Sequence, residues 1–394
     1  DSTDEKIIEN IDIGGPTMLR AAAKNFKRVS VLIDPNDYDW FSEKLLSDEL
    51  TIDDRKKLAF KVFDRTANYD LNISKYLSIS EKNKNFPDNI NITLNKISDL
   101  RYGENPHQKS AIYSEQNLGI ANSTLLHGKE MSYLNFLDAD AAFSSANSFS
   151  DHTVSIVKHT NTCGLSSTDN QLESYENALR GDPVSAFGGI VGFNTEVQSK
   201  TAIEISKTFY DVIIAPSFSE DAFKILTQKK NIRLLSSNFL QQNYEYRTIN
   251  GGLLYQEKDN QSPRIEDWDF VTNSKPDKNS FDELLFAWNT TKFIKSNAIV
   301  ITEGKSILGI GSGQPNRINS VNLALSRAGK LLSNNSILAS DAFFPFPDSI
   351  DIAAENNIKT ILQPGGSLKD NEVIERANHY NITMILTNRR HFSH

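Results

Sequence analysis

Lys158 and His159 stand directly after Val154-Ser155-Ile156-Val157, a run whose β-branched content predicts a strand. That puts the pair at the carboxyl end of a strand, where ligand sites of α/β sheets gather. An imidazole has a reference pKa near ~6.5, and a neighbouring ammonium keeps it neutral and able to take a proton. The lysine can stabilise developing negative charge or protonate a leaving nitrogen. Neighbours in a regular strand point to opposite faces, so both serve one site only if the backbone turns there. Thr160-Asn161-Thr162-Cys163-Gly164 suits such a turn. Taken alone, a Lys-His pair is more often solvated surface than catalytic machinery. Cys163, the single cysteine, reads as a buried bystander.

Other blocks combine residues of chemical interest with an ordinary structural reading. Gly309-Ile310-Gly311-Ser312-Gly313 precedes a helix and resembles a dinucleotide fingerprint, but Gln314 replaces its last glycine and no acidic residue follows before Asp341. The alternative is a structural hairpin turn. In Arg101-Tyr102-Gly103-Glu104-Asn105-Pro106-His107-Gln108, the arginine can grip a phosphate and the tyrosine can stack a base; a capped, solvated turn fits equally. Phe343-Phe344-Pro345-Phe346 makes a rigid aromatic surface, either core or a slot for a planar ligand. Gln363-Pro364-Gly365-Gly366-Ser367 reads as a backbone N–H cradle with Ser367 as helix N-cap. Asn388-Arg389-Arg390-His391 is a basic cluster of the kind that usually forms a mobile tail.

The elements that position these residues alternate between strand-like and helix-like segments. Strands are expected at 29–33, 154–157, 212–215, 298–301, 358–362 and 383–386, and helices at 53–77, 133–149, 197–208, 319–332 and 369–379. A further helix is expected at 18–24, behind Gly14-Gly15-Pro16. Such alternation argues for α/β layers. Residues 78–91 shift to Ser, Asn, Lys, Asp and Pro, which separates a first domain at 1–77 from a second at 92–394. The chain has 394 residues, 38% of them apolar, enough for two or more cores. Its net charge of -8 argues against a general nucleic-acid or membrane-surface role. No run reaches the ~18 apolar residues of a spanning helix, and the acidic start is no signal peptide, so a cytoplasmic protein is expected. His107, His152 and His159 lack companions at metal-ligand spacing. Ser2-x-x-Glu5 reads as a capping box that opens a helix at once, which together with a first residue other than Met suggests a fragment.

Taken in order, RYGENPHQ, VKHTNTCG, DPVSAFGGIVGF, FIKSNAIV, GIGSGQPNRINSV, SDAFFPFPDSID, QPGGSLKDNEVIE and the final HFSH resemble the bifunctional AICAR transformylase/IMP cyclohydrolase family. The resemblance runs from about residue 5 to the last residue. It implies two zinc-free cytidine-deaminase-like subdomains, preceded by the remainder of an α/β methylglyoxal-synthase-like cyclohydrolase domain. By the resemblance, His159 is the general base and Lys158 the transition-state stabiliser of formyl transfer. The AICAR contacts are Arg101, Tyr102, Gly188, Asp211, Asn297, Arg317, Phe343 and Arg390, with His394 near the site. The folate contacts are Ile318, Asp348, Ser367 and Leu368. Asp12 and Ile13 correspond to IMP contacts and Lys24 to a catalytic lysine of the cyclohydrolase.

The resemblance further implies 10-formyltetrahydrofolate as co-substrate, no metal or tightly bound cofactor, and a homodimer with sites shared across its interface. The family's earlier cyclohydrolase residues have no counterpart here, so formyl-AICAR is expected to accumulate. Two alternatives remain beside this reading. One is a nicotinamide-dependent oxidoreductase using the Gly309–Gly313 loop; the other is a purine-nucleotide sensor without turnover.

Overall fold

The computed structural model describes residues 3–78, 86–115 and 118–394. The chain divides into two compact units, Asp1–Leu94 and Asn95–His394. Half of the expected 78–91 linker, residues 79–85, lies outside the described residues, as does Ser2 of the expected capping box.

Among the described residues of the first unit are four α-helices, α1 (Asp4–Glu9), α2 (Gly14–Lys24), α3 (Tyr38–Leu46) and α4 (Ile52–Ser78). Thr3 caps α1 by accepting from Lys6 N at 3.4 Å. Leu58, Ala59, Val62 and Thr66 recur at helical spacing along α4 and are buried. Ala59 and Val62 form a small core with Ala23, against which Leu19, Phe26, Val31 and Ile33 pack. The strand expected at 29–33 does not form. Val31 and Ile33 pack on the core while Val29 stays exposed, but a strand needs a hydrogen-bonding neighbour, and this unit has no other strand among its described residues.

The second unit begins with a two-stranded ribbon, β1 (Asn95–Leu100) and β2 (Ser110–Ser114). There follow β3 (Thr124–His127), α5 (Tyr133–Ala146), β4 (His152–Lys158), β5 (Asn161–Thr168), α6 (Gln171–Gly181), α7 (Pro183–Ala186), β6 (Ile190–Phe193), α8 (Ser199–Ile205), β7 (Val212–Ala215), α9 (Glu220–Leu226) and β8 (Arg233–Ser236). A second ribbon, β9 (Tyr244–Ile249) and β10 (Gly252–Glu257), leads to β11 (Asp269–Phe270), α10 (Phe281–Thr290), β12 (Ile299–Glu303), β13 (Ser306–Gly311), α11 (Arg317–Ala328), β14 (Ile337–Ser340), α12 (Asp348–Glu355), β15 (Thr360–Gln363), α13 (Asp370–His379) and β16 (Thr383–Leu386).

Twelve strands make one mixed sheet in the order β11-β16-β15-β14-β12-β13-β5-β4-β6-β7-β8-β3. The order reads the same outward from its centre. Each half has an antiparallel hairpin (β4–β5, β12–β13), a strand antiparallel to it, two more strands in parallel, and an antiparallel edge strand. The helices fall at matching places between them, with α7 the only unmatched one among the described residues. The halves join where β5 meets β13 antiparallel at Ser166 and Ser306, whose hydroxyls lie 2.7 Å apart. This junction turns the hairpin end of the first half toward the carboxyl ends of β14, β15 and β16 in the second.

Gly309 and Gly311 sit inside β13 and serve packing. A methyl on Gly309 would lie 2.2 Å from Ala324 O, and one on Gly311 would lie 1.8 Å from Ser320 O. Both glycines let α11 lie directly on the strand. Gly311→Ala is therefore expected to lower stability by ~1–3 kcal/mol, the usual cost of overpacking. A shift in the urea midpoint of the second unit measures it; an unchanged midpoint would mean that α11 yields at no cost.

Candidate active site

The junction places most of the expected site residues along one edge of the large sheet. Val157 pairs with Ile190 and Ile190 with Val212, so the segments before β6 and β7, carrying Gly188 and Asp211, share the edge of the β4–β5 turn. Ile299 pairs with Gly311 and with Ser340, which brings the start of β12 and the ends of β13 and β14 to the same edge. A bond of 3.4 Å from Ser312 Oγ to Asn161 Oδ1 crosses between the halves there.

His159 and Thr160 form the β4–β5 turn in left-handed conformation, with φ of 54° and 58°. Two successive positive φ values match the right-handed twist of a hairpin. Such a backbone is unfavourable for non-glycine residues, and its amides are held by a carboxylate. Asp138 on α5 accepts from His159 N at 3.1 Å and from Thr160 N at 2.6 Å. Burial pushes the Asp138 carboxyl above its usual range; the two amides and the nearby His159 oppose this, and Asp211 adds to it. The His159 side chain stays exposed, while Lys158 is half-buried and donates to Phe187 O at 2.6 Å, beside Gly188. The turn leaves the His159 side chain exposed at the sheet edge, with Lys158 at the end of β4 just before it. Asp138 was not singled out in the sequence. It shares its helix with Asn135 and a second aspartate, Asp140, so nothing in the sequence marks it out, 21 positions from His159.

Asn297 and Arg317 are brought together at the next strands. Arg317 opens α11, is 8% exposed, and donates to Asn297 Oδ1 at 2.6 Å, to Ser340 Oγ at 2.8 Å and to Asp341 Oδ1 at 2.5 Å. Asp341 is fully buried and also accepts from Ser296 Oγ at 2.5 Å. Asn297 donates to Gln314 O at 2.8 Å, and its carbonyl accepts from Ser320 Oγ at 2.9 Å. The guanidinium is therefore committed to protein partners, and what it offers a ligand is a fixed Asn297.

Beyond them lies a pocket of about 270 Å³ lined by Phe343, Gly365, Gly366, Arg390 and Phe392 among others. Phe344 is buried core, whereas Phe343 is 40% exposed, so the aromatic block divides between packing and a wall. Gly365 and Gly366, at φ 75° and 95°, turn the chain after β15 as no other residue would readily do. Arg390 lies over the Phe392 ring at 4.8 Å. The basic segment is not a loose tail. His391 N donates to Asp341 O at 3.0 Å, and Ser393 exchanges bonds of 2.8 and 3.1 Å with Ser296.

Of the residues expected to meet folate, Ser367 and Leu368 follow directly on Gly366 of this pocket's lining. Leu368 is wholly exposed, Asp348 is exposed at the start of α12, and Ile318 is the second residue of α11. Ser367 does not cap α13, which begins at Asp370; its hydroxyl accepts from Lys369 N at 3.1 Å. The His394 ring meets Phe392 edge-on at 5.7 Å, and its main-chain oxygen accepts from Arg247. Arg101 and Tyr102 stand apart, after β1. Arg101 lines a separate pocket of about 380 Å³ with His107 and Lys109, and donates to the Tyr102 hydroxyl at 2.8 Å. In the first unit, Asp12 accepts from Gly15 N at 2.9 Å at the start of α2, Ile13 is 72% exposed, and Lys24 ends the helix, exposed.

Burial pushes the Cys163 thiol up to about 12, which removes the thiolate that nucleophilic chemistry needs near neutral pH. Among the described residues no three His, Cys, Asp or Glu side chains cluster as a metal site would require. No helix among them is long and apolar enough to cross a membrane.

The arrangement offers a base on an exposed turn, an adjacent ammonium, a fixed carboxamide and a pocket with an arginine. Such a set suits proton removal from a nucleophile and stabilisation of an anionic intermediate on a ligand carrying negative charge. Comparison with known proteins points the same way. The chain is 46% identical to the bifunctional purine biosynthesis protein PurH of Caldicellulosiruptor saccharolyticus, over 99% of this chain and 77% of the relative. For the proteins of that name in Listeria monocytogenes serotype 4b and Dictyostelium discoideum, identity is 47% and 43%, over 99% and 100% of this chain and 77% and 80% of theirs. The model of the AICARFT/IMPCHase bienzyme family matches residues 22–327, and the chain belongs to that family.

Proposed function

We propose that this chain acts in purine biosynthesis, transferring the formyl group of 10-formyltetrahydrofolate to the 5-amino group of AICAR. The observation that carries the proposal is the Asp138-held turn, which presents Lys158 and His159 on the edge that also bears Asn297 and the Arg390 pocket. The exocyclic amine of AICAR is a weak nucleophile, so it must be held against the formyl carbon in attack geometry. The amine nitrogen bonds to that carbon as His159 takes its proton. Lys158 and Asn297 steady the tetrahedral oxyanion. The bond from carbon to the folate nitrogen then breaks, that nitrogen gains a proton, and formyl-AICAR and tetrahydrofolate leave. The bienzyme's second step closes formyl-AICAR to IMP with loss of water, and Asp12, Ile13 and Lys24 belong to that site.

In this reading Arg101, Tyr102, Gly188, Asp211, Phe343, Arg390 and His394 contact AICAR, while Arg317 acts through Asn297. Ile318, Asp348, Ser367 and Leu368 take the folate. The mirrored strand order supports two subdomains of like topology; we read them as cytidine-deaminase-like and zinc-free, and the first unit as part of a methylglyoxal-synthase-like cyclohydrolase domain. We place the enzyme in the cytoplasm, as a homodimer with neither nucleic acid nor membrane as partner. Distance supports the dimer: β4 and β14 are four strand spacings apart, roughly 19 Å, more than one nucleotide spans. A second copy would complete each site. The glycines of β13 face α11, which removes the support for a nicotinamide-binding loop.

The purified chain is expected to release tetrahydrofolate from 10-formyltetrahydrofolate only when AICAR is present. Release without AICAR, or none with it, would defeat the proposal. Mixing inactive His159→Ala and Asn297→Ala chains is expected to restore measurable activity if the two residues meet across subunits; mixtures as inactive as their components would count against the shared site.

A further inference from the structure

Arg390 and Phe392 line the pocket, yet His391 between them is 5% exposed and turned the other way. Its ring packs on Trp288, with centroids 4.9 Å apart, and its Nδ1 pairs with the carboxylate of Asp259. Asp259 follows β10, in a loop that grips the same segment at further points. Asn388 Nδ2 donates to Asp267 O at 3.0 Å, and Arg389 pairs with Asp267 at 3.7 Å and with Gln261. Lys292, its side chain 8% exposed, lies 3.9 Å from Asp259, and Arg389 is a further cation that acts on that carboxylate.

An arginine that clamps an anion does so best when its backbone is already fixed, since ordering it on binding would be subtracted from affinity. Here the residue before Arg390 and the residue after it are both tied to one loop. From this we infer that Asp259, acting through His391, is a positioning residue for the nucleotide: it holds Arg390 and Phe392 in the pocket wall before AICAR arrives. The inference rests on the formyl-transfer reading for the identity of the ligand, but the clamp itself can be tested without it.

Asp259→Asn removes the charge and keeps the shape. Trypsin is expected to cut after Arg390 about tenfold faster in this variant, because cleavage follows the population of the opened segment. The dissociation constant for AICAR, measured by calorimetry, should rise about tenfold, as when a hydrogen bond to a charged group is lost. Turnover at saturating AICAR and KM for 10-formyltetrahydrofolate should stay within about twofold, which is the signature of lost binding without lost chemistry. Asp259→Glu, on a half-exposed side chain with room to adjust, should restore most of the affinity. Unchanged trypsin protection with unchanged AICAR affinity would overturn the inference. So would a joint fall of turnover, both KM-related affinities and melting temperature that Glu does not rescue, since that describes general damage. A wild-type chain that does not bind AICAR would defeat the formyl-transfer reading instead, while the cleavage result would still judge the clamp.

Discussion

Replacing His159 with alanine is expected to lower turnover by ~10²–10⁴, the span of a positioned general base, while AICAR affinity changes little. The separation of effects follows from the geometry. Asp138 holds the turn through the backbone amides of His159 and Thr160, so removing the imidazole leaves that anchor in place. Alanine at φ 54° has no side chain to bond locally and carries a backbone cost of about 1–2 kcal/mol. His159→Asn separates the two terms, because asparagine tolerates the left-handed region but cannot serve as a base near neutral pH. Both variants should be equally inactive, with the asparagine chain the more stable. Turnover close to wild type in either one would remove His159 from the mechanism.

That the chain turns after Val157 was legible in the sequence, but the turn closes at His159-Thr160, and Asn161 to Gly164, read as the turn, begin β5. A β-branched run ending in Lys-His and followed by Thr-Asn signals a hairpin as well as a site, and the strands at 212–215 and 383–386 appear at the expected residues. What could not be read was partnership. Asp138 looks like one polar residue of a helix until the fold sets it under the turn. The β13 glycines have the composition of a phosphate loop, because close approach of a ligand and close approach of a helix make the same demand on a side chain. The strand expected at 29–33 packs only Val31 and Ile33 against the small core and lacks a neighbour. The basic segment 388–391 read as a tail because its partners, the carboxylates of Asp259 and Asp267 and the main-chain oxygen of Asp341, lie more than 40 residues away in sequence.

The mirrored halves make a further contrast that composition alone would not reveal. Gly304 and Lys305 form the second hairpin turn, also at positive φ, and a helix carboxylate again accepts from it, Gly304 N to Glu283 at 3.3 Å. Yet the residue matching Lys158 there is Glu303, tied to Ser333 and Ser336 at 2.6 and 3.0 Å, and Lys305 is paired with Asp151 at 2.5 Å. One backbone device therefore carries an exposed histidine in the first half and paired, packed side chains in the second. Side chains, not the fold, make that difference.

The second large effect concerns Asp341. Asp341→Ala is expected to destabilise the second unit by ~3–5 kcal/mol, because it leaves the buried Arg317 guanidinium without its counter-charge. Arg317 is 8% exposed and Asp341 is fully buried, so water cannot replace the lost partner. Replacing both residues by apolar ones, as in Arg317→Met with Asp341→Leu, should cost much less than the two single changes together, since no lone charge then remains. Activity should not follow stability. Arg317 also holds Asn297 Oδ1, so the paired variant fixes the energetic fault and leaves the carboxamide free to rotate. Recovered thermal stability with turnover still depressed would separate the two roles of the ion pair. If the double variant instead recovers both, Arg317 matters only for folding, and Asn297 is held well enough by Gln314 and Ser320.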